Sequence, residues 1–124
     1  MRFEDLDVWK RAARLSVALY RALDDCRAFG FKDQITRSAL SIASNVAEGY
    51  ERDTTRDRIK FLHYAKGSCG ELRTQLYIGM EAGYIRTDQG RAWVRETREL
   101  SAMLYGLIAT FGSRNHERAR RNNA

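Results

Sequence analysis

The apolar residues of this 124-residue chain recur with the period of an α-helix along most of its length, and this spacing restricts the possible folds more than any other feature. No segment alternates apolar and polar residues as a strand does, and the chain contains no proline to interrupt a helix. The spacing predicts four helices, from about Asp5 to Phe29 with Gly30 as the stop, from about Asp33 to Gly49, from a cap at Thr54 to about Gly83, and from a cap at Thr87 to about Phe111. Long helices joined by short turns predict an all-α fold, namely an antiparallel up-down four-helix bundle.

The first predicted helix carries more apolar surface than the core of one chain requires. One face holds Leu6, Trp9, Ala13, Val17 and Tyr20, and the adjacent face holds Val8, Ala12, Leu15, Leu19, Leu23 and Cys26. Together the two faces cover roughly 200° of the helix, whereas about 100° is enough for a helix on one side of a core. We therefore expect that something beyond the chain's own core covers part of this helix.

The chain is basic, with a formal net charge of +6, and 18 of its 22 basic residues are arginine. The last twelve residues, SRNHERARRNNA, hold four arginines and one glutamate and show no apolar periodicity. This pattern predicts a bundle domain at residues 1–112 followed by a basic, disordered tail at residues 113–124. Excess positive charge favours nucleic acid or another polyanion as a partner, and arginine binds phosphate as a bidentate fork.

Two clusters of basic residues are candidate nucleic-acid contacts. They are Lys10, Arg14 and Arg21 along the first helix, and Arg52, Arg56, Arg58 and Lys60 around the turn between the second and third helices. The arginines of the tail are candidate contacts as well. The chain lacks a zinc finger and an aromatic RNA-binding strand, so these contacts would read the phosphate backbone or the shape of the nucleic acid. The alternative interpretation is a solvated surface with ion pairs such as Glu48 to Arg52.

Side chains with catalytic or metal-binding chemistry are few and scattered. His63 projects away from the apolar stripe of the third helix, and His116 lies in the tail. Cys69 lies on that stripe, which indicates core packing and not a nucleophile. The Glu-x-x-His pattern of di-iron bundles and the glycine-rich phosphate loops are both absent. We expect no catalytic residue, no metal site and no cofactor, and therefore no enzyme.

The location of the protein can be predicted from what the sequence lacks. No N-terminal stretch resembles a signal peptide, and no run of eighteen apolar residues could span a membrane. Cys26 and Cys69 are isolated thiols, which are typical of the reducing cytosol. We expect a cytoplasmic protein without a membrane partner.

The stretch SIASNVAEG, residues 41–49, places the polar residues Asn45 and Glu48 on a helix of small apolar side chains. It resembles the signature of a small bacterial four-helix-bundle family that includes the proteins encoded by intervening sequences in 23S ribosomal RNA genes. The accessory protein of diversity-generating retroelements is a relative of that family. Residues 3–9 match the family's opening F-x-x-L-x-V-W, and residues 61–72 match its third-helix pattern F-L-x-x-A-x-G-S-x-x-E-L. Ala43 stands where the family often has proline, which should alter local helix geometry and not the fold.

The resemblance implies a bundle that assembles into a ring, typically a homopentamer, and such assembly would cover the wide apolar arc of the first helix. The resemblance also concerns the polar residues of the second and third helices. Because they match the family's pattern, we expect them to have fixed partners. We hypothesise a structural brace of the second helix against the third helix or against a neighbouring subunit. Its members are Arg37, Asn45, Glu48, Ser68 and Glu71.

The function that the resemblance implies is association of a non-enzymatic oligomer with RNA or DNA through basic surfaces. The retroelement relative is understood to bind nucleic acid and a reverse transcriptase. The alternative is a protein adaptor whose basic surface docks an acidic partner such as a reverse transcriptase. The two differ in their response to salt, because phosphate contacts make log affinity fall steeply and linearly with log salt concentration.

Overall fold

The computed structural model describes residues 1–123, which form four α-helices preceded by one short 3-10 turn. The elements are the 3-10 turn Phe3–Asp5, α1 (Asp7–Ala22), α2 (Phe29–Tyr50), α3 (Thr55–Glu81) and α4 (Thr87–Asn122). The described part of the chain contains no β-strand. Consecutive helices run antiparallel, and α1 packs against both α2 and α4, so the bundle closes on itself. The predicted all-α four-helix bundle is confirmed, and its assembly into a ring stays a prediction.

One continuous hydrophobic core runs between the four helices. The predicted apolar stripe of α3 lies in this core, where Leu62, Cys69 and Leu76 have no exposed surface. The largest aliphatic side chains that are fully buried are Leu19, Ile35, Ile42, Leu62, Leu72, Leu76, Leu100 and Leu104. Burial of one such side chain contributes about 1.5–3 kcal/mol, so the stripes that predicted the helices also hold them together.

The boundaries of α3 lie where the local sequence predicts them. Thr54 Oγ1 accepts a hydrogen bond from the backbone N–H of Asp57 at 3.1 Å, which satisfies one open donor of the first turn. Beyond the other end, Gly83 has a φ of 81°, a left-handed conformation that favours glycine and turns the chain towards α4. Thr87 is not the cap of α4, because Arg86 occupies that position without a side-chain hydrogen bond.

The prediction that the first helix reaches Phe29 and stops at Gly30 was wrong. α1 ends at Ala22, and Gly30 lies in the first turn of α2. Two consecutive aspartates at positions 24–25 explain the early end, because aspartate is a poor helix former and its charge is unfavourable near a helix C-terminus. The turn is held in part by Lys32, whose Nζ donates to the backbone carbonyl of the first aspartate at 2.9 Å.

The predicted end of the last helix at Phe111 was also wrong, and the tail predicted to be disordered from Ser113 is helical where it is described. Ala124, its last residue, lies outside the described residues. α4 continues through Asn122. Beyond Gly112 the extension contains no proline or further glycine, and four of its residues are arginine, which is a good helix former. Every described side chain beyond Gly112 is exposed, and the extension meets the bundle where the Arg114 guanidinium lies 5.8 Å from the ring centroid of Phe111. A domain boundary at this glycine stays a prediction.

Removal of the residues after Gly112 is expected to leave the stability of the bundle almost unchanged, because their side chains are exposed and the contact of Arg114 with the Phe111 ring lies at the surface. Changes at exposed sites are usually within about 0.5 kcal/mol, which corresponds to roughly 2 °C in Tm for a chain of this length. Thermal unfolding followed by circular dichroism would compare the full chain with the chain ending at Gly112. A fall in Tm of more than about 5 °C would show that the extension packs against the bundle or a neighbouring chain.

Candidate nucleic-acid interface

The stretch SIASNVAEG lies on α2, where it faces α3 across a seam of small side chains. Ile42 and Val46 are fully buried in this seam, whereas Ser41 and Asn45 lie half-buried at its edge. Ser41 Oγ is 2.9 Å from Ser68 Oγ on α3, and Asn45 Nδ2 donates to both the carbonyl oxygen and Oγ of Ser41 at 2.9 Å. Two of the predicted brace residues, Asn45 and Ser68, are thus brought together through Ser41.

The other three predicted brace residues are not part of this network. Arg37 pairs with Asp33 at 3.3 Å, and Glu48 pairs with Arg52 at 2.7 Å. All four of these side chains are largely exposed, and each pair joins residues four positions apart in the sequence. Glu71 is exposed on α3 and forms no ion pair within residues 1–123. Within one chain these three charges do not connect α2 to α3, and their contact with a neighbouring subunit stays a prediction.

α2 and α3 approach each other closely at Gly49. A Cβ atom at this position would lie 3.1 Å from Phe61 Cβ and 3.2 Å from the carbonyl oxygen of Arg58, both tighter than ordinary contacts. The missing side chain therefore allows the end of α2 to lie against the start of α3. This contact positions the basic turn at residues 51–60.

Arg58 in this turn is built into the junction of three helices. Its guanidinium lies 4.9 Å from the ring centroid of Tyr50 and 5.2 Å from that of Phe111. Its Nε is buried and has no hydrogen-bond partner in the described part of the chain. Burial raises the pKa of Tyr50, and the charge of Arg58 acts in the opposite direction. A guanidinium held between two rings favours a structural role over the predicted phosphate contact.

The remaining basic residues of the turn differ in how they are held. Arg52 belongs to the ion pair described above, and its guanidinium also lies 4.5 Å from the ring centroid of Phe61. Lys60 Nζ lies 5.9 Å from the ring centroid of Tyr64. Arg56 is exposed and forms no ion pair with another described residue. Arg56 and Lys60 are therefore the cations of this turn that are most available to a ligand.

The predicted basic row on α1 is exposed. Lys10, Arg14 and Arg21 all lie on the side of α1 that faces away from the core. None of the three forms an ion pair across residues 1–123. Because helix residues four and seven apart lie on one face, the three side chains form a single line of positive charge.

The neighbouring Arg11 points the other way and ties α1 to α4. Its Nε donates to Glu96 Oε2 at 3.1 Å, and its Nη2 lies 3.3 Å from Glu99 Oε2. Hydrogen bonding to Glu96 raises the pKa of Arg11 above its already high usual value. The α1–α4 contact is the smallest of the four contacts between neighbouring helices, so this clamp closes the bundle on its weakest side.

A third basic surface, between α3 and α4, is not apparent from the sequence. It comprises Lys66, Arg73, Tyr77, Arg98 and Tyr105 and is called the α3–α4 face below. Its three cations form no ion pair among the described residues. Lys66 and Arg73 are seven residues apart on α3, a spacing from which the sequence could have predicted that they share one face. A pattern on one helix does not show which side chains of a second helix lie beside it.

The structure offers little of the chemistry that a catalytic centre requires. Within residues 1–123, no cluster of histidine, cysteine and carboxylate side chains could hold a metal ion. Burial raises the pKa of the Cys69 thiol to about 11, so this thiol is protonated and unreactive at neutral pH. His63 is exposed, as its position on the helix predicted. A 280 Å³ pocket beside the α3–α4 turn holds Arg86 and Asp88, which pair with each other at 3.2 Å.

Part of the apolar surface of α1 is exposed. Val17, Tyr20 and Leu40 are 48%, 45% and 47% exposed and line a groove between α1 and α2. The groove has a volume of 470 Å³, and Trp9 and Ala13 contribute to its apolar lining. Large apolar side chains gathered in one exposed groove are typical of an interaction surface.

The fold and these surfaces define an all-α four-helix bundle with basic outer faces and an exposed apolar groove. The chain belongs to the family described as 23S rRNA-intervening sequence protein, which its residues 4–106 match. The resemblance noted in the sequence is thereby confirmed.

One solved structure shows the same fold. It is a protein of unknown function from the S23 ribosomal protein family of Bacteroides thetaiotaomicron, with a TM-score of 0.76 and 24% sequence identity. The match covers 82% of this chain and 97% of that chain. No curated protein matches the chain. Among the helices of the described residues, none is both long enough and apolar enough to span a membrane.

Ser68→Ala is expected to lower the free energy of unfolding by about 1 kcal/mol, because it removes the hydrogen bond to Ser41 across the seam. Glu48→Ala serves as a comparison, because it removes only an exposed ion pair worth about 0.5 kcal/mol or less. Urea unfolding of both variants measures the difference. A loss of several kcal/mol for Glu48→Ala, together with a change in assembly state, would place this carboxylate against a neighbouring subunit.

Proposed function

We propose that this chain is a non-enzymatic, oligomeric protein that associates with RNA or DNA through its basic surfaces. The observation that carries the proposal is an excess of unpaired positive charge. Within residues 1–123, five of the 22 lysines and arginines take part in ion pairs. Membership of a family whose description refers to 23S rRNA adds support.

The basic row of α1 is the first contact surface of this proposal. From Lys10 to Arg21 the helix rises by about 16 Å, so the row can follow several phosphates of one strand. Each phosphate that the row neutralises releases bound counterions, which favours association. The row carries no arrangement for reading base edges, so its contacts position the nucleic acid without selecting a sequence.

The turn at residues 51–60 supplies a second contact surface. Arg56 and Lys60 act as its phosphate contacts, because they are exposed and outside the ion pairs. Arg52 and Arg58 support them by holding the turn against aromatic rings. This division retains the predicted cluster and assigns different roles to its members.

Assembly into a homopentameric ring completes the proposal. The apolar groove between α1 and α2 is the surface through which subunits contact one another, because Val17, Tyr20 and Leu40 expose large apolar area there. A ring repeats each basic surface in every subunit, so individually weak phosphate contacts combine into tighter binding. The free thiols Cys26 and Cys69 fit a cytoplasmic location.

Replacing Lys10, Arg14 and Arg21 together by alanine is expected to weaken nucleic-acid binding by about tenfold or more and to lower the salt slope by roughly 2–3, since three phosphate contacts are lost. Fluorescence anisotropy with labelled hairpin RNA and duplex DNA, at about 50 and 200 mM salt, measures both effects. The matched control replaces the ion-paired Arg2, Arg37 and Arg86, which changes the net charge equally.

Equal losses in the two triple variants would mean that net charge alone drives binding and would contradict a role for the α1 row. A wild-type protein that binds neither RNA nor DNA even at low salt would overturn the proposed function. The protein adaptor that docks an acidic partner, such as a reverse transcriptase, would then become the leading hypothesis.

Val17→Glu combined with Leu40→Glu is expected to dissociate the oligomer, because two charges would be buried in an apolar contact. Light scattering measures the mass of the assembly, and circular dichroism checks that each chain still folds. Tyr64→Glu with Ile78→Glu, on another exposed part of the bundle, is the comparison. An unchanged mass for the Val17 and Leu40 variant would exclude the groove as the subunit contact.

A further inference from the structure

The α3–α4 face lies apart from the surfaces of the proposed function and combines cations with exposed aromatic rings. Two hydrogen bonds set the register of its helices. Arg73 Nε donates to Thr97 Oγ1 at 3.0 Å, and Arg98 Nη2 donates to the Tyr77 hydroxyl at 3.0 Å. Because α3 and α4 run antiparallel, this register brings Lys66 to the level of Tyr105.

The guanidinium of Arg73 is held in a fixed position. Its partner Thr97 is fully buried, and the Thr97 hydroxyl in turn donates to the Val94 carbonyl at 2.7 Å. The two terminal nitrogens of Arg73 make no hydrogen bond within residues 1–123. They are therefore available as a fork for a phosphate, and the side chain loses little freedom when it binds one.

Tyr77 and Tyr105 present their rings to solvent, with 47% and 66% of each residue exposed. The hydrogen bond from Arg98 holds the Tyr77 hydroxyl and so restricts its ring. Neither ring packs against another aromatic side chain of the described chain. Exposed rings beside cations are the arrangement on which unpaired nucleobases stack, and this stacking does not depend on base sequence.

Glu81 follows Tyr77 by four residues and so lies on the same side of α3, but it forms no ion pair within residues 1–123. The other nearby carboxylates point away from this face. Glu96 and Glu99 on α4 are turned to the opposite side of the helix, where Arg11 holds them. Glu71 precedes Arg73 by two residues and so projects about 200° away from it around α3. The positive charge of the face is therefore not neutralised by its own neighbours.

Gly70 leaves the floor of the face open between Lys66 and Arg73. A Cβ atom at Gly70 would meet nothing within 4 Å, so packing within one chain gives no reason for a glycine there. Glycine in a helix interior costs about 1 kcal/mol relative to alanine. Gly67 and Gly106 are open in the same way, so Gly70 is distinguished by its place between two cations, where a base or sugar can lie close to the helix backbone.

We propose that the α3–α4 face binds single-stranded nucleic acid. Lys66, Arg73 and Arg98 contact phosphates, and Tyr77 and Tyr105 stack on unpaired bases. A duplex cannot use these rings, because its bases already stack on one another and only their edges are accessible. This inference rests on the proposed function and adds the class of strand that the protein selects.

The test compares the wild-type protein with a double variant that carries both Tyr77→Leu and Tyr105→Leu. Leucine keeps apolar surface on the helices but removes the stacking rings. Binding of a labelled single strand of about twenty thymidines, called dT20, is therefore expected to fall about tenfold or more. Binding of a 20-base-pair duplex is expected to change less than about twofold, since the cations remain. The control combines Phe29→Leu with Tyr84→Leu, two aromatic residues outside this face whose exposures of 71% and 47% resemble those of Tyr105 and Tyr77.

Gly70→Leu is an independent test, because it fills the floor of the face. Leucine is the better helix former, so the variant is expected to unfold at a higher temperature while it binds dT20 more weakly. Gly106→Leu, at another open position on α4, is the comparison for stability. Opposite changes in stability and binding cannot arise from partial unfolding.

Wild-type affinity for dT20 in the Tyr77 and Tyr105 variant, or equal losses for dT20 and duplex, would overturn this inference. If either of these results were found while replacement of Lys10, Arg14 and Arg21 still weakened binding, the proposed function would stand and this inference alone would fail. If the wild-type protein bound neither probe, both the inference and the proposed function would fail.

Discussion

The close approach of α2 to α3 is the constraint on which the rest of the bundle depends. Small residues along α2 let the two backbones come together, and Gly49 allows a close contact with Phe61 and the backbone of Arg58. At the edge of this seam the hydroxyls of Ser41 and Ser68 hydrogen-bond to each other, as polar groups taken out of water must. The seam also determines how α3 is rotated, and thereby which of its residues meet α4.

Neighbouring cations have opposite uses in this structure. On α1, Arg11 joins the clamp to α4, whereas Lys10 beside it faces solvent. In the turn after α2, Arg58 is held between two rings, whereas Arg56 is exposed. A guanidinium suits both uses, because it stacks on rings and forms planar pairs as readily as it binds phosphate. The functional proposals therefore depend on the partners of each cation and not on the number of cations.

Much of the fold could be predicted from local patterns, and the errors have local causes. The core stripe of α3 and the cap at Thr54 follow from periodicity and from one side-chain hydrogen bond. The end of α1 at Ala22 was missed because apolar periodicity continues past the helix into the turn, where Leu23 is buried without being helical. Of the five predicted brace residues, Asn45 and Ser68 are connected through Ser41. Ser41 was missed because an uncharged serine on a helix gives no sign of its partner.

The sequence by itself determined that the chain forms four helices and which side of each is apolar, because periodicity and side-chain polarity are properties of single helices. Only the tertiary structure decided which charges are neutralised and which faces join. Arg11 and Glu96 are 85 positions apart, and Tyr77 and Arg98 are 21 positions apart on different helices. Such pairs depend on the rotation and register of packed helices, which arise from all core contacts together.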